Sequence, residues 1–294
     1  MITAIILSKD KAPQLELLIK SIQRNAKNLF DIRVIYECSN GVFEQGYDKL
    51  KEDIFYKNRH GLDFPIRWHT RDDDNLSEDI ISQINDDRDL TCVLNDENIF
   101  FKSPPSYKEM LALFKEKPIT AFSMRIGNNT VIQNAYSIND YFIDKPDEFD
   151  FVLDKFIVWD GSIVKPFTNF GIPFSNNGHV YTSKLLKYIL EKTNIEFIDS
   201  FEKDLQDNLH MGVFGGLIPP YMACLENSIV INNSSKKISD KEDTGFGNSD
   251  YELNERYLSG LTIDYEFFNF GHVSRPFQDF ITRFHREDHM QYGR

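Results

Sequence analysis

The densest run of chemistry-bearing side chains is Cys92-Val93-Leu94-Asn95-Asp96-Glu97-Asn98-Ile99-Phe100-Phe101. Two carboxylic acids and two amides lie between an apolar stretch and a second apolar group. Asp96 and Asn98 flank one residue, so in an extended turn their side chains face the same way. Oxygen donors of this kind suit Mg2+ or Mn2+, hard cations usually shared with substrate phosphates. The same four residues also suit a solvated turn closed by an Asx hydrogen bond. Which of the two applies depends on where the surrounding elements put the turn.

Those elements are legible from hydrophobic patterning. Residues 2–7 form a continuous apolar run, the signature of a strand buried on both faces. Leu15, Leu18, Ile19 and Ile22 follow at helical spacing, with Pro13 suited to a first turn. The pattern predicts a strand over Ile32–Tyr36, a helix over Tyr47–Phe55, a strand over Phe64–His69, a short helix around Ile80, Ile81 and Ile84 capped by Ser77, and a strand over Leu90–Leu94. Alternating strands and helices imply βαβ units and a mainly parallel sheet. Ligands of such sheets bind at the carboxyl ends of the strands. Those ends are Ser8–Asp10, Glu37–Asn40, Arg71–Asn75 and Asn95–Asn98, all polar and three of them strongly acidic.

The second half is less regular. Helices are expected near Tyr107–Phe114, Ser183–Glu191, from about Ser200, and Leu253–Leu258, with strands at Ile119–Met124 and Ser228–Ile231 and a mobile loop over Ser234–Asp250. No repeat or low-complexity linker interrupts the chain. The expectation is one α/β domain over residues 1–294 with a mixed α+β second half. Residues 1–125 would be its regular half, and 126–294 its mixed half and C-terminal segment.

Composition narrows the function. The 294 residues carry 33 Lys+Arg against 46 Asp+Glu, a net charge of −13, which argues against a sequence-blind nucleic-acid binder. No run approaches the ~18 apolar residues of a membrane span. Met1–Leu7 lacks a basic leader and reads as a first strand rather than a signal peptide. Cys38, Cys92 and Cys224 are far apart, lack zinc-site spacing and fit buried thiols in a reducing, cytoplasmic setting. There is no Gly-x-Ser-x-Gly elbow and no Gly-rich phosphate loop after the first strand. Both absences count against serine hydrolases, Rossmann dehydrogenases and P-loop enzymes.

With its acidic turn closing the fourth strand, the chain resembles the nucleotide-sugar glycosyltransferases of the GT-A fold, bacterial family 2-like proteins in particular. The likeness rests on the strand Ile2–Leu7, the helix Gln14–Ile22 and the stretch Leu94-Asn95-Asp96-Glu97-Asn98-Ile99-Phe100 followed by Pro104, which resembles an L-x-D-D-N-I-F…P pattern. It departs from the acidic DxD signature of that fold in having Asn98 where the last acid would stand. The resemblance implies a donor that is a nucleoside-diphosphate sugar, an acceptor hydroxyl on a glycan or its lipid-linked precursor, and a Mn2+ or Mg2+ ion that neutralises the departing diphosphate.

On this sequence the resemblance implies the following roles. Ser8 and Asp10 would lie near the nucleotide, Glu37 would hold base or ribose, and Asp72 to Asn75 would border base or pyrophosphate. Asp96 with Asn98 would hold the metal, joined by His272, which alternatively is a hydrogen-bonded core group. A general base for the acceptor hydroxyl is expected at a helix start. Glu202 is the choice and Asp160 the rival, while Asp199 and Ser200 fit helix caps as well. Trp159, Asn177, Gly178 and His179 are the candidates for contact with sugar or acceptor. Two alternatives share the fold: a non-catalytic nucleotide- or sugar-binding protein, and a nucleotidyltransferase.

Overall fold

The first strand, β1 (Ile2–Lys9), is buried from Ile2 to Ser8 because it is covered on both sides. Ile2, Ala4 and Ile6 turn to one core, and Ile5 and Leu7 to another. The computed structural model describes residues 1–59, 64–71, 75–131, 145–166, 168–233, 249–276 and 283–286. Strands β2 (Phe30–Glu37), β3 (Ile66–Thr70) and β4 (Leu90–Asn95) join β1 in a wholly parallel quartet ordered β3-β2-β1-β4. β5 (Asn98–Phe100) leaves this sheet after a two-residue turn.

β6 (Ile119–Gly127), β7 (Asp150–Val152), β8 (Phe156–Asp160), β9 (His179–Thr182) and β10 (Tyr221–Leu225) extend the sheet to nine strands, in the order β3-β2-β1-β4-β9-β6-β10-β8-β7. β9 is antiparallel to both neighbours, and β8 is antiparallel to β10 and β7, whereas β10 and β6 are parallel. Every strand except β8 and β9 therefore points the same way. β11 (Val230–Asn232) pairs antiparallel with β5, and β12 (Leu261–Ile263) with β13 (Phe284–Arg286).

Helices cover both faces. On one side lie α1 (Ala12–Asn25), α2 (Gly41–Lys57), α4 (Tyr107–Glu116) and α7 (Asp250–Leu258), through Leu15, Leu18, Leu50, Met110 and Tyr257 among others. On the other lie α3 (Leu76–Gln83), α5 (Ser183–Glu191) and α6 (Phe201–His210), through Leu76, Ile80, Leu186, Ile189, Phe201 and Leu205. Each such fully buried side chain contributes about 1.5–3 kcal/mol.

Local chemistry moves several boundaries. α2 starts at Gly41, well before the expected Tyr47, because the Asn40 side chain accepts hydrogen bonds from the backbone of Val42 and Phe43. α3 is capped by Asn75, not Ser77; the Ser77 hydroxyl is buried and accepts the Ile195 N–H instead. The late strand is Val230–Asn232 rather than Ser228–Ile231. Of the expected loop Ser234–Asp250, residues 234–248 lie outside the described residues, and Asp250 already opens α7.

Candidate functional site at the β1–β4 rim

From β1 the chain passes to β2 on one side, and later to β4 on the other. The carboxyl ends of β1 and β4 thus diverge around a crevice, the usual ligand position in open α/β sheets. A cleft of about 270 Å3 lies there. Leu7, Lys9, Asp10 and Lys11 line it from the end of β1, and Asn95, Asp96 and Glu97 from the end of β4. Its far side is Asn176, Ile198, Asp199, Glu202 and Asp250. Asn176 is there because β9 runs against its neighbours: His179 pairs with Val93, so the residues before β9 fall at the carboxyl rim of the parallel strands.

Asp96 is the best-anchored acid. Its Oδ2 accepts hydrogen bonds from Ser8 Oγ at 2.8 Å and from the Lys9 N–H at 3.1 Å. Ser8 Oγ also bonds Tyr47 Oη at 2.6 Å, and that phenol oxygen accepts the Lys11 N–H at 3.1 Å. Burial, reinforced by the charge of Glu97, raises the Asp96 pKa well above the ordinary carboxylate range, against the opposing pull of Lys11. Lys11 is only 8% exposed and its ammonium is paired with Glu97. Burial works against its charge, yet Asp96, Glu97 and Asp250 outweigh burial and raise its pKa.

The second centre is a knot of amides. Asn177 Oδ1 accepts from the side-chain amides of Asn95 at 2.8 Å, Asn98 at 3.2 Å and Asn232 at 2.5 Å. Its own Nδ2 donates to Glu202 Oε1 at 2.6 Å. Ser175 Oγ donates to the same carboxylate oxygen. Asn177, itself 4% exposed, therefore ties the acidic turn after β4 to the first turn of α6 and fixes the Glu202 carboxylate in the cleft wall.

Among the expected site residues, Asp10, Asp96 and Glu202 line the same cleft, with Asn177 directly behind them. Asp10 has a left-handed backbone (φ 59°), and its carboxylate accepts the Ser39 N–H at 2.7 Å. The others stand elsewhere. Ser8 is fully buried beneath Asp96 and positions that acid instead of meeting a nucleotide. Glu37 is held by Lys9 at 2.6 Å and Arg71 at 2.5 Å and does not line the cleft; Arg71 also grips Asp79. Asn75 is engaged in capping α3. Asp72 lies outside the described residues.

Asn98 is fully buried, its Oδ1 accepting the Asn95 N–H and its Nδ2 donating to Asn177, so its amide faces inward and is not a metal ligand. His272 is exposed in a turn and does not line the cleft. Asp160 ends β8, an antiparallel strand, and pairs with Tyr221 at the start of β10. It therefore sits at the opposite rim of the sheet, where it accepts the N–H and hydroxyl of Ser162. Trp159 is a core residue: its indole donates to Phe170 O at 3.0 Å and its ring packs on Phe170 and Phe149. His179 is fully buried in β9, and burial followed by the charge of Arg125 pushes its pKa down to about 3. Gly178 (φ 78°) serves the sheet, donating to Val93 O and accepting from Met124 N.

Sequence reasoning missed Lys9, Lys11 and Asp250 as cleft residues. Lys9 and Lys11 carried a signal, since both follow directly on the first strand. Asp250 carried none; Gln14 brings it in by donating to its Oδ1 at 3.0 Å.

The residues fit a resident divalent cation poorly. Among the described residues no group of three or more His, Cys, Asp or Glu side chains is arranged to hold a metal ion. Asn98 is committed to the amide knot, one Asp96 oxygen is taken by Ser8 and Lys9, and Glu97 is already paired with the buried Lys11 ammonium.

No family model and no curated protein matches the chain in sequence. Solved structures do match. S. aureus TarS 1-349 in complex with UDP-GlcNAc has a TM-score of 0.50 at 11% identity, covering 88% of this chain and 66% of that one. S. aureus TarS gives 0.47 at 11% identity over 80% and 37% of the two chains. GalNAc-T7 with UDP, GalNAc and Mn2+ gives 0.43 at 11% over 87% and 47%. The chain spans less than two thirds of each of these proteins. The first likeness shows the fold, which is GT-A-like: a large, mostly parallel sheet flanked by helices.

Proposed function

We propose that this chain is a glycosyltransferase that moves a sugar from a nucleoside-diphosphate donor to an acceptor hydroxyl. The observation that carries the reading is the joint placement of Asp96, Lys11 and Glu202 in one cleft at the diverging ends of β1 and β4. In this reading the half formed by residues 1–125 holds the nucleotide, and the half formed by 126–294 presents the acceptor. The donor's diphosphate lies against Lys11 and the end of β4. Glu202, held by Ser175 and Asn177, takes the proton of the acceptor hydroxyl. The acceptor oxygen then bonds to the anomeric carbon, the bond from that carbon to the diphosphate breaks, and the pair of electrons leaves with the diphosphate.

The acceptor in this reading is a glycan or another hydroxyl compound, and the setting is the cytoplasm. The three cysteines are free thiols, which suits a reducing compartment. Among the described residues no helix is long and apolar enough to cross a membrane.

The test is thermal unfolding with UDP, GDP, their sugar conjugates and ADP, each with and without Mn2+. A ligand at 100 times its Kd adds about 2.7 kcal/mol of stability. A binding nucleotide is then offered as its sugar conjugate, and nucleoside diphosphate release is measured for the parent and Glu202→Gln. The reading predicts a shift for at least one nucleoside diphosphate, with turnover lost but binding kept in the variant. Absence of any shift refutes it; binding without turnover favours the non-catalytic alternative.

A further inference from the structure

Lys11 is an unusual residue to find at this depth. It lies two residues beyond the end of β1 at the N-cap of α1, where its carbonyl accepts the Leu15 N–H and its own N–H donates to Tyr47 Oη at 3.1 Å. The backbone is thus fixed on both sides, and the side chain lines the cleft at 8% exposure with its ammonium on Glu97. Lysine is almost never buried to this extent unless paired. Gln14, one turn further along α1, holds Asp250 at 3.0 Å, so the start of α7 brings a further acid beside the same ammonium.

Asp96, Glu97 and Asp250 are the acids whose charges act on Lys11, but they do not form a group arranged to hold a divalent ion. Asp96 and Glu97 follow β4, and Asp250 opens α7. Asn98, the remaining oxygen donor of the turn, is turned away into the amide knot. An ion entering here would have to displace a buried, paired ammonium, and losing one partner of such a pair is strongly unfavourable. An ammonium carries three N–H donors, of which the bond to Glu97 uses one. Charge-assisted hydrogen bonds from such a donor are a standard means of holding phosphate oxygens.

We propose that Lys11 is the built-in cation of this cleft: its ammonium, beside Asp96, Glu97 and Asp250, keeps a divalent metal out and meets the diphosphate of the donor, so that nucleotide binding needs no Mn2+ or Mg2+. The diphosphate part of this inference rests on the functional reading above; the exclusion of metal does not.

The experiment has two arms on the full chain. In the first, Mn2+ alone is titrated and its free concentration followed by electron paramagnetic resonance, for the parent, Lys11→Ala and Lys11→Met. The parent is expected to bind no Mn2+ at this cluster, and the variants to gain Mn2+ affinity by about tenfold or more, a gain that Asp96→Asn cancels. Tight Mn2+ binding by the parent that Asp96→Asn abolishes overturns the inference, and the parent titration stands even where a variant does not fold. So does failure of folded Lys11 variants to bind Mn2+ better than the parent. In the second arm, UDP and GDP are titrated calorimetrically in EDTA and in Mn2+. Equal affinity supports the inference, and an affinity about tenfold or more weaker in EDTA overturns it. Should neither nucleotide bind in either condition, the functional reading fails, and the Mn2+ arm alone decides whether Lys11 excludes the metal.

Discussion

Replacing His179 by Leu should make the protein more resistant to acid. The imidazole is fully buried in β9, its Nε2 has no hydrogen-bond partner, and its Nδ1 lies 3.4 Å from Pro173 O. Burial and the Arg125 charge lower its pKa from 6.5 to about 3. The folded protein therefore holds this side chain neutral across a range in which the unfolded chain protonates it. The contribution to stability is complete above the unfolded value of 6.5. It is lost progressively as pH falls towards 3, where the folded state also takes up the proton. Each pH unit inside that window costs about 1.4 kcal/mol, so at pH 4.5 the parent has lost about 3 kcal/mol to this one group. Leucine has no proton to take up and leaves no unpaired ring nitrogen. Urea unfolding of parent and variant at pH 7.5 and 4.5 should show the difference between them moving by about 3 kcal/mol in the variant's favour on acidification. The raised pKa of Asp96 acts in the opposite direction but is common to both proteins and cancels. Stability curves that stay parallel from pH 7.5 to 4.5 would show that His179 is not the buried neutral group described.

Three further substitutions probe the cleft. Ser8→Ala removes a donor to Asp96 and a partner of Tyr47, and should cost about 1–3 kcal/mol in urea unfolding; an unchanged midpoint would mean that Ser8 does not position the acid. Asn177→Ala strands the amides of Asn95 and Asn98 and removes one of the two donors that hold Glu202, so stability should drop by about 2 kcal/mol or more and turnover should fall more steeply than nucleotide affinity. Asp160→Asn lies at the opposite rim and keeps an oxygen acceptor for Ser162, so nucleotide affinity should not change; a loss of about tenfold would place Asp160 in the site after all.

The elements that hold the cleft were legible where burial is two-sided or strongly periodic. β1, α1 and β4 follow from continuous apolar runs and a helical stripe, and α5 coincides with the expected Ser183–Glu191. Side-chain caps blurred the ends: Asn40 and Asn75 start helices through hydrogen bonds that carry no hydrophobic signal. Strand direction was illegible. Asp160 and Asn177 both adjoin short strands of the second half, yet the reversal of β8 carries the first away from the cleft and the reversal of β9 brings the second to it. Burial of polar groups was equally hidden. A sequence does not distinguish Asn98, folded into an amide knot, from a ligand facing solvent, nor Lys11, sunk among acids, from an ordinary surface lysine. Trp159 and His179 were assigned to a ligand by type, whereas packing puts both in the interior.

The most direct test is a crystal structure of the protein with a bound nucleoside diphosphate, UDP and GDP being tried in turn. The diphosphate is expected outside the ends of β1 and β4, in contact with Lys11 and within the cleft that Asp96 and Glu202 share. A nucleotide bound at the opposite rim beside Asp160, or one whose phosphates lie away from Lys11 and Asp96, would contradict the account.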